Sequence, residues 1–455
     1  MEIKNVSIIY YYFKVIGYIM EKINTQLVLN SQQSKAKDLI IQWFKNKTKN
    51  KQTFVLSGYA GTGKTTLINF IIQELNLQNS VAFATPTGKA ASVLIQKGSE
   101  ASTIHHLIYT PVEKDVKTDN NGKTIKSKKI EFVKKRSIGN FKLIIIDEIS
   151  MVNNKILNDL LSYKIPLLVS GDPGQLPPIE SDTNTLLQNP DIILTEIVRQ
   201  EENNAILKIA NDARNNIPIN YGNYNDQVIV LNKKNLSQTD ISKLMLSVDQ
   251  VLCGRNSTRN KLNTVYRNAL GKTSWIPEDG EKIICNLNNY EISFDDKYSL
   301  ANGIQGYISN FKVLDNSKKL ASISFKPEFS KETIDDLLID SNAFENNTFL
   351  YQKHQKVYLL IDGSYKIKLL NDYETRSKSN YKQLLLEDRK NKLNSLSEFM
   401  INQFEYGYVI SVHKSQGSEW NTILIFDESY CFGENKNKWL YTAITRGKEK
   451  VIIIK

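Results

Sequence analysis

The stretch TFVLSGYAGTGKTT, residues 53–66, limits what this chain can fold into more than any other segment. Phe54, Val55 and Leu56 read as a buried strand, the glycines interrupt it, and Leu67-Ile68-Asn69-Phe70-Ile71-Ile72 resumes at helical spacing. Gly58, Gly63, Lys64 and Thr65 satisfy the G-x-x-x-x-G-K-[ST] spacing of a phosphate-binding loop, with Gly61, Thr62 and Thr66 inside and just beyond it. Glycines let successive N–H groups converge on one anion, and the helix that follows adds positive potential at its first turn. Lys64 is expected to reach the β and γ phosphates and Thr65 to ligate Mg²⁺, so the chain is expected to bind a nucleoside triphosphate.

A second apolar strand, Leu143-Ile144-Ile145-Ile146, ends in Asp147 and Glu148. An uninterrupted apolar run is what a central parallel strand looks like, and its carboxyl end is where ligands bind in open α/β sheets. Asp147 is suited to hold Mg²⁺ and Glu148 to polarise an attacking water. A third strand, residues 166–170, runs into Gly171-Asp172-Pro173-Gly174-Gln175-Leu176-Pro177-Pro178-Ile179, where Gln175 can bond a γ phosphate or the lytic water.

Other segments point to a polyanion. The chain has 455 residues with a net charge of +11 and a pI near 9.1, which favours nucleic acid or an anionic membrane surface. Nine basic residues against four acids fall within 110–141, where Asn121-Gly122 predicts a hairpin turn; the segment is either a basic β-hairpin that steers a backbone or wedges a duplex, or a solvated loop. The strand Val81–Ala84 leads into Thr85-Pro86-Thr87-Gly88-Lys89, whose hydroxyls and lysine suit a nucleic-acid backbone, while Thr87 can equally cap the next helix. Segment 29–44 predicts a helix capped by Asn30 or Ser31, and the amide of Gln33 offers both a donor and an acceptor to an adenine edge.

Length predicts three or four domains or subdomains. Cys253, Cys285 and Cys431 have no metal-ligand spacing and are expected as reduced thiols in the cytosol; the four histidines carry no paired zinc motif either. Residues 1–24 contain an apolar run broken by Lys14, too short for a membrane span and without a cleavage site, so an N-terminal extension is expected, with translation from Met20 as the alternative.

The ordered series GYAGTGKT, ATPTGKAA, STIHHLI, IIIDE, GDPGQLPPI, IVRQ, VHKSQGSEW and YTAITRGK resembles that of a superfamily 1 helicase of the RecD and Dda type, the branch that travels 5′ to 3′. The resemblance runs from about Leu29 to the C terminus and implies an α/β fold of two RecA-like P-loop domains with parallel sheets. Domain 1 would cover 25–183 with a hairpin insertion at about 110–141, and domain 2 would cover 184–274 and 407–455. An SH3-like β insertion would occupy 275–406, whose turn signals include Asn302-Gly303 and Asp362-Gly363, with a helical-looking stretch at 378–400.

By the same resemblance ATP lies between the domains. Gln33 meets adenine, Arg199 and Arg446 neutralise the transferring phosphoryl, and Gln416 and Gly417 face the nucleotide. Thr85, Pro86, Thr87, Lys89, Thr103, His105, Asn302, His413 and Ser415 line the DNA. The implied cofactors are ATP and Mg²⁺. The implied partners are single-stranded DNA and single-strand/duplex junctions, together with replication or recombination proteins, for a monomer without membrane contact in the cytoplasm of a bacterial or phage-infected cell. The rival functions are an RNA helicase, a triphosphate-using transferase, and a nucleic-acid-binding protein with a defunct ATPase site.

Overall fold

The computed structural model describes residues 29–46, 51–96, 100–116, 127–177, 184–198, 204–295, 298–315, 320–345, 355–361, 364–370 and 397–455. The N-terminal extension and Met20, Asn121-Gly122, Pro178, Ile179, Arg199, Asp362-Gly363 and residues 378–396 lie outside the described residues.

The first unit is a six-stranded parallel sheet. Its strands are β1 (Thr53–Gly58), β2 (Val81–Thr85), β3 (Ala101–Thr103), β6 (Leu143–Ile146), β7 (Leu167–Gly171) and β8 (Ile192–Leu194), in the order β3-β2-β6-β7-β1-β8. All four residues of β6 are buried. Leu143 and Ile145 enter one core with helices α1 (Ser31–Lys45) and α2 (Lys64–Glu74), while Ile144 and Ile146 enter another with α5 (Asn154–Leu161). Successive strand side chains point to opposite faces, so an unbroken apolar run demands cover on both sides. Helices α3 (Gly88–Gln96) and α4 (Ile104–Ile108) follow β2 and β3. Strand β8, which sequence alone assigns to the second domain, pairs in parallel with β1, Leu56 opposite Ile192. Three residues are too few for a periodic signal, so the boundary at 183 falls short of the first sheet.

Strands β4 (Tyr109–Val116) and β5 (Ser127–Lys134) form an antiparallel hairpin in register from Tyr109↔Lys134 to Val116↔Ser127. The basic segment therefore projects as a ribbon, with Val112, Phe132 and Val133 exposed on it.

The second unit repeats the plan. Strands β9 (Gly222–Tyr224), β10 (Val228–Leu231), β11 (Gln250–Cys253), β22 (Val409–Ser411), β23 (Trp420–Phe426) and β24 (Gly447–Ile454) lie in the order β22-β11-β23-β24-β10-β9, parallel except at β9. The same alternation splits them: Leu252, Ile423, Ile425, Val451 and Ile453 face α6 (Ala205–Arg214) and α10 (Lys436–Ile444), whereas Val251, Leu424, Ile452 and Ile454 face α7 (Gln238–Leu246) and α8 (Asn256–Ala269).

Between β11 and β22 the chain detours through a five-stranded antiparallel sheet. Its strands are β12 (Lys282–Cys285), β15 (Gln305–Asp315), β16 (Leu320–Pro327), β17 (Ile334–Asp340) and β21 (Phe404–Tyr406), packed with α9 (Asn342–Glu345) around Phe325, Phe344 and Phe404; β13 (Asn289–Phe294) pairs with β14 (Tyr298–Leu300), and β18 (Gln355–Ile361) lies between β19 (Ser364–Leu370) and β20 (Ser397–Met400). This is the β insertion expected over 275–406. Residues 397–400, read as helical from sequence, form a strand instead. At the junction Arg267 donates to both oxygens of Glu281, at 2.8 and 3.0 Å, with both side chains buried. No helix among the described residues is long and apolar enough to cross a membrane.

Candidate nucleotide cleft and nucleic-acid interface

The phosphate loop occupies the turn from β1 into α2, with Gly61 and Gly63 both left-handed at φ 75° and 74°. A residue with a Cβ strains there, which explains the glycines. Lys64 Nζ donates to the Gly58 and Tyr59 carbonyls at 2.6 and 3.2 Å, so the ammonium lies across the mouth of the loop. Thr62 is fully buried, its hydroxyl donating to the Tyr59 carbonyl at 2.8 Å, and Thr66 is exposed. Gln33 is buried against the loop: Nε2 donates to the Thr62 carbonyl at 3.0 Å and Oε1 accepts from Asn30 N–H at 3.1 Å, closing a capping box with Asn30 as the N-cap. An amide can make two bonds at each of these atoms, so an adenine edge can still be met. The neighbouring Gln32, which sequence gives no reason to select, binds Thr195 and Glu196 and ties α1 to the end of β8.

Asp147 and Glu148 follow β6. Asp147 Oδ1 accepts from Ser170 Oγ at 2.5 Å and from Glu148 N–H at 3.0 Å. Neither Asp147 Oδ2 nor the Thr65 hydroxyl bonds another group among the described residues, and a carboxylate with a hydroxyl is an oxygen donor set that fits a hard divalent cation. Glu148 has φ 57°, an unusual conformation for a residue with a side chain. Burial and the Asp147 charge raise its carboxyl to about 7, against the pull of Arg446 and Lys64. A carboxylate of that basicity suits proton abstraction near neutral pH.

Arg446 sits just past α10, at the carboxyl edge of the second unit. It is buried, with Nε donating to the Thr442 carbonyl at 3.1 Å and Nη1 to the Ser418 carbonyl at 3.2 Å. Tyr441, on the helix that leads into Arg446, bonds the phosphate loop at Ala60, so Arg446 lies on the side of the second unit that faces Lys64.

Several contacts across this cleft have no sequence signal. The Tyr441 hydroxyl donates to Asp172 Oδ2 at 2.6 Å and accepts from the phosphate-loop N–H of Ala60 at 2.8 Å. Burial pushes the Tyr441 phenol above its usual range, reinforced by the Asp172 charge. The Arg214 guanidinium lies 3.3 Å from the Tyr59 ring centroid beside it. Leu176 N–H donates to Thr442 Oγ1 at 2.9 Å, and Gln416 Nε2 donates to the Leu176 carbonyl at 2.8 Å. The 172–176 loop is therefore gripped by the second unit, and Gln416 serves that grip. Gly417, expected at the nucleotide, packs on α3 instead: a Cβ there would lie 2.9 Å from Ala90 Cβ. Gln175 is buried, and its Oε1 has no partner among the described residues, an acceptor left within the gripped loop.

The expected nucleic-acid residues divide into two groups. His105, His413, Pro86, Thr87 and Asn302 retain accessible surface. Burial lowers the pKa of both His105 and His413, which favours the neutral rings.

The others turn inward. Thr85 is 1% exposed and donates to the Thr87 carbonyl; Thr103 caps α4 by accepting from His106 N–H; Ser415 is fully buried, bonded to the Val412 carbonyl at 2.7 Å. Lys89 leaves the backbone track as well. It pairs with Glu328 at 2.6 Å, and Lys282 meets the same carboxylate at 2.9 Å, joining the first unit to the inserted sheet. Motif spacing identifies which turn a residue occupies but not which way its side chain points.

Burial acts to raise the Glu328 carboxyl, yet the two lysines hold it at about 2, against an ordinary 4.5. On the other side of the pair, burial takes Lys89 below the ordinary lysine range despite Glu328. Desolvation outweighs attraction at Lys89, so the pair positions the inserted sheet more than it stabilises the fold. Removing the carboxylate still strands two buried ammonium groups. Glu328→Gln is therefore expected to cost on the order of 3 kcal/mol, read as a lower urea midpoint at pH 7. Because the depressed acid pKa makes its contribution above about 4.5 and loses it as pH falls towards 2, the wild-type advantage should shrink over that window. Equal midpoints at pH 7 would remove the tie.

A family described as an AAA domain matches residues 29–231, and one described as a UvrD-like helicase C-terminal domain matches 406–454. The chain is 31% identical over 200 residues to the protein named ATP-dependent DNA helicase dda of Enterobacteria phage T4, covering 41% of this chain and 43% of Dda. It is 25% identical over 442 residues to the RecBCD enzyme subunit RecD of Buchnera aphidicola subsp. Schizaphis graminum, covering 88% of this chain and 69% of RecD. Among solved structures it is similar to Bacteroides Pif1 bound to ssDNA, at 17% identity and a TM-score of 0.48, covering 94% of this chain and 92% of that one. The match spans less than half the length of Dda. With two sheets facing one charged cleft and both helicase-type segments in order, the domain matches and the RecD and Dda relatives together support a superfamily 1 helicase of the RecD/Pif1 type.

Proposed function

We propose that this chain is an ATP-dependent DNA helicase that hydrolyses ATP between its two parallel sheets, moves 5′ to 3′ on single-stranded DNA and separates the duplex ahead of it. One observation carries the proposal: the second unit bonds directly to the phosphate loop and the 172–176 loop of the first, through Tyr441 to Ala60 and Asp172 and through Thr442 and Gln416 to Leu176, with Tyr441 and Thr442 on the helix that leads into Arg446. A reacting set divided between two bodies is complete only when they close, which couples chemistry to relative motion. Lys64 binds the terminal phosphates, Gln175 Oε1 accepts from the lytic water, Glu148 takes its proton, and Arg446 meets charge developing on the phosphoryl oxygens, with Arg199 as its second partner. Thr65 and Asp147 would hold Mg²⁺, whose charge when bound neutralises the β and γ phosphate oxygens. The relatives named as DNA helicases favour DNA over RNA. A monomer in the cytoplasm fits this activity, with replication or recombination proteins as further partners.

Strand displacement on duplexes bearing a 5′ or a 3′ single-stranded tail, in DNA and RNA versions, tests the assignment. ATP-dependent displacement of the 5′-tailed DNA is expected. No displacement of any substrate would overturn the helicase, and displacement from a 3′ tail alone would reverse the polarity. The β4–β5 hairpin is the proposed wedge. Excising residues 113–130 and closing the ribbon with a tight turn should slow unwinding several-fold while sparing ATPase stimulation by single strands; equal loss of both would discard the wedge.

A further inference from the structure

Along the carboxyl edge of the second sheet, the accessible His413 is followed by a feature that the nucleotide chemistry does not use. Glu428, just past β23, is buried, and its carboxylate accepts from Gly254 N–H and Arg255 N–H at 2.8 Å each, from Arg255 Nε at 2.7 Å and from Thr258 Oγ1 at 2.6 Å. Burial acts to raise this carboxyl, but the donors hold it below the ordinary range, so it is an anion saturated by the loop that starts α8. A carboxylate bound this completely has no capacity left for a ligand. Its effect is to fix the plane of Arg255, whose side chain is still 52% exposed.

Arg255 Nη2 lies 3.5 Å from the hydroxyl of Tyr430, which at 69% is the most exposed large apolar or aromatic side chain among the described residues. The short segment carrying Tyr430 also carries Phe432, whose ring is 5.6 Å from His413 and stacks on Trp439 at 5.4 Å. One short backbone segment thus presents a half-buried aromatic beside His413 and an open aromatic beside a guanidinium held in place. Leaving a tyrosine ring in water forgoes its burial, and an Arg held by a buried acid loses little freedom when it binds.

We propose that Tyr430 and Arg255 form a stacking site for one unpaired nucleobase of the single strand, beyond the position met by His413. Every base offers a π face, so the site is indifferent to sequence, and the guanidinium adds attraction for both the base plane and the backbone charge. The proposal rests on the single-strand motor described above and extends the track by one named contact.

The test uses the full chain, a fluorescent oligothymidylate and its abasic counterpart of equal length. Tyr430→Ala should weaken binding of the oligothymidylate about tenfold, while Tyr430→Phe retains wild-type affinity because the ring and not the hydroxyl makes the contact. The abasic strand should bind wild type and Tyr430→Ala alike. ATP hydrolysis without DNA should be the same in all three proteins, which also reports on folding. Wild-type binding left unchanged by Tyr430→Ala, or a Phe variant as weak as the Ala variant, overturns the stacking site alone. Wild-type protein that binds no single strand overturns the motor and this site together.

Discussion

Glu148→Gln is expected to keep ATP bound while DNA-stimulated turnover falls by a factor of about 10² to 10⁴, the range a positioned general base commands. The substitution keeps the shape of the side chain and its place at the end of β6, so the phosphate loop and Lys64 are left as they are. What it removes is the proton acceptor, in a site where burial and Asp147 have raised the carboxyl to about 7. Lys64→Ala is the contrast. It deletes the ammonium that lies across the loop's mouth and should weaken ATP binding itself. Equilibrium binding of a fluorescent ATP analogue, read beside steady-state hydrolysis, separates the two. Turnover within threefold of wild type in the Gln variant would assign the base elsewhere.

Arg446→Ala should reduce single-turnover hydrolysis by about 10³ or more with little change in ATP affinity, as for arginines that meet charge formed only in the transition state. Arg446 reaches the cleft from the second unit, so its removal leaves the binding loop of the first intact. It also donates to the Thr442 and Ser418 carbonyls, and a truncated variant loses that support. Arg446→Lys keeps a cation but not the planar set of donors, and should restore stability without restoring turnover. Recovery of full turnover by lysine would reduce Arg446 to a scaffold. A fall in ATP affinity as large as the fall in rate would make it a ground-state contact.

The parts legible from sequence share one physical origin: they are local. The phosphate loop needs glycine where φ is positive, and Gly61 and Gly63 meet that need within one short stretch. The run Leu143–Ile146 must be covered on both faces, and it is. The Asn-Gly signal within 110–141 predicts a ribbon, and Tyr109–Val116 pairs with Ser127–Lys134. The errors concern direction. Thr85, Thr103 and Ser415 sit on the expected turns, but each hydroxyl is spent on nearby backbone, because a short polar side chain at a turn serves a local carbonyl or N–H as readily as a ligand.

Sequence by itself determined the identity of the chemical groups and the strand-loop-helix units that carry them, since backbone conformation and two-sided burial are set by neighbouring residues. Only the tertiary structure decided which groups meet. Tyr441 joins Asp172 to Ala60, Lys89 turns from the nucleic-acid track to Glu328, and Ile192–Leu194 close the first sheet instead of opening the second. Such contacts link residues hundreds of positions apart or strands too short to show a period, so no local pattern encodes them.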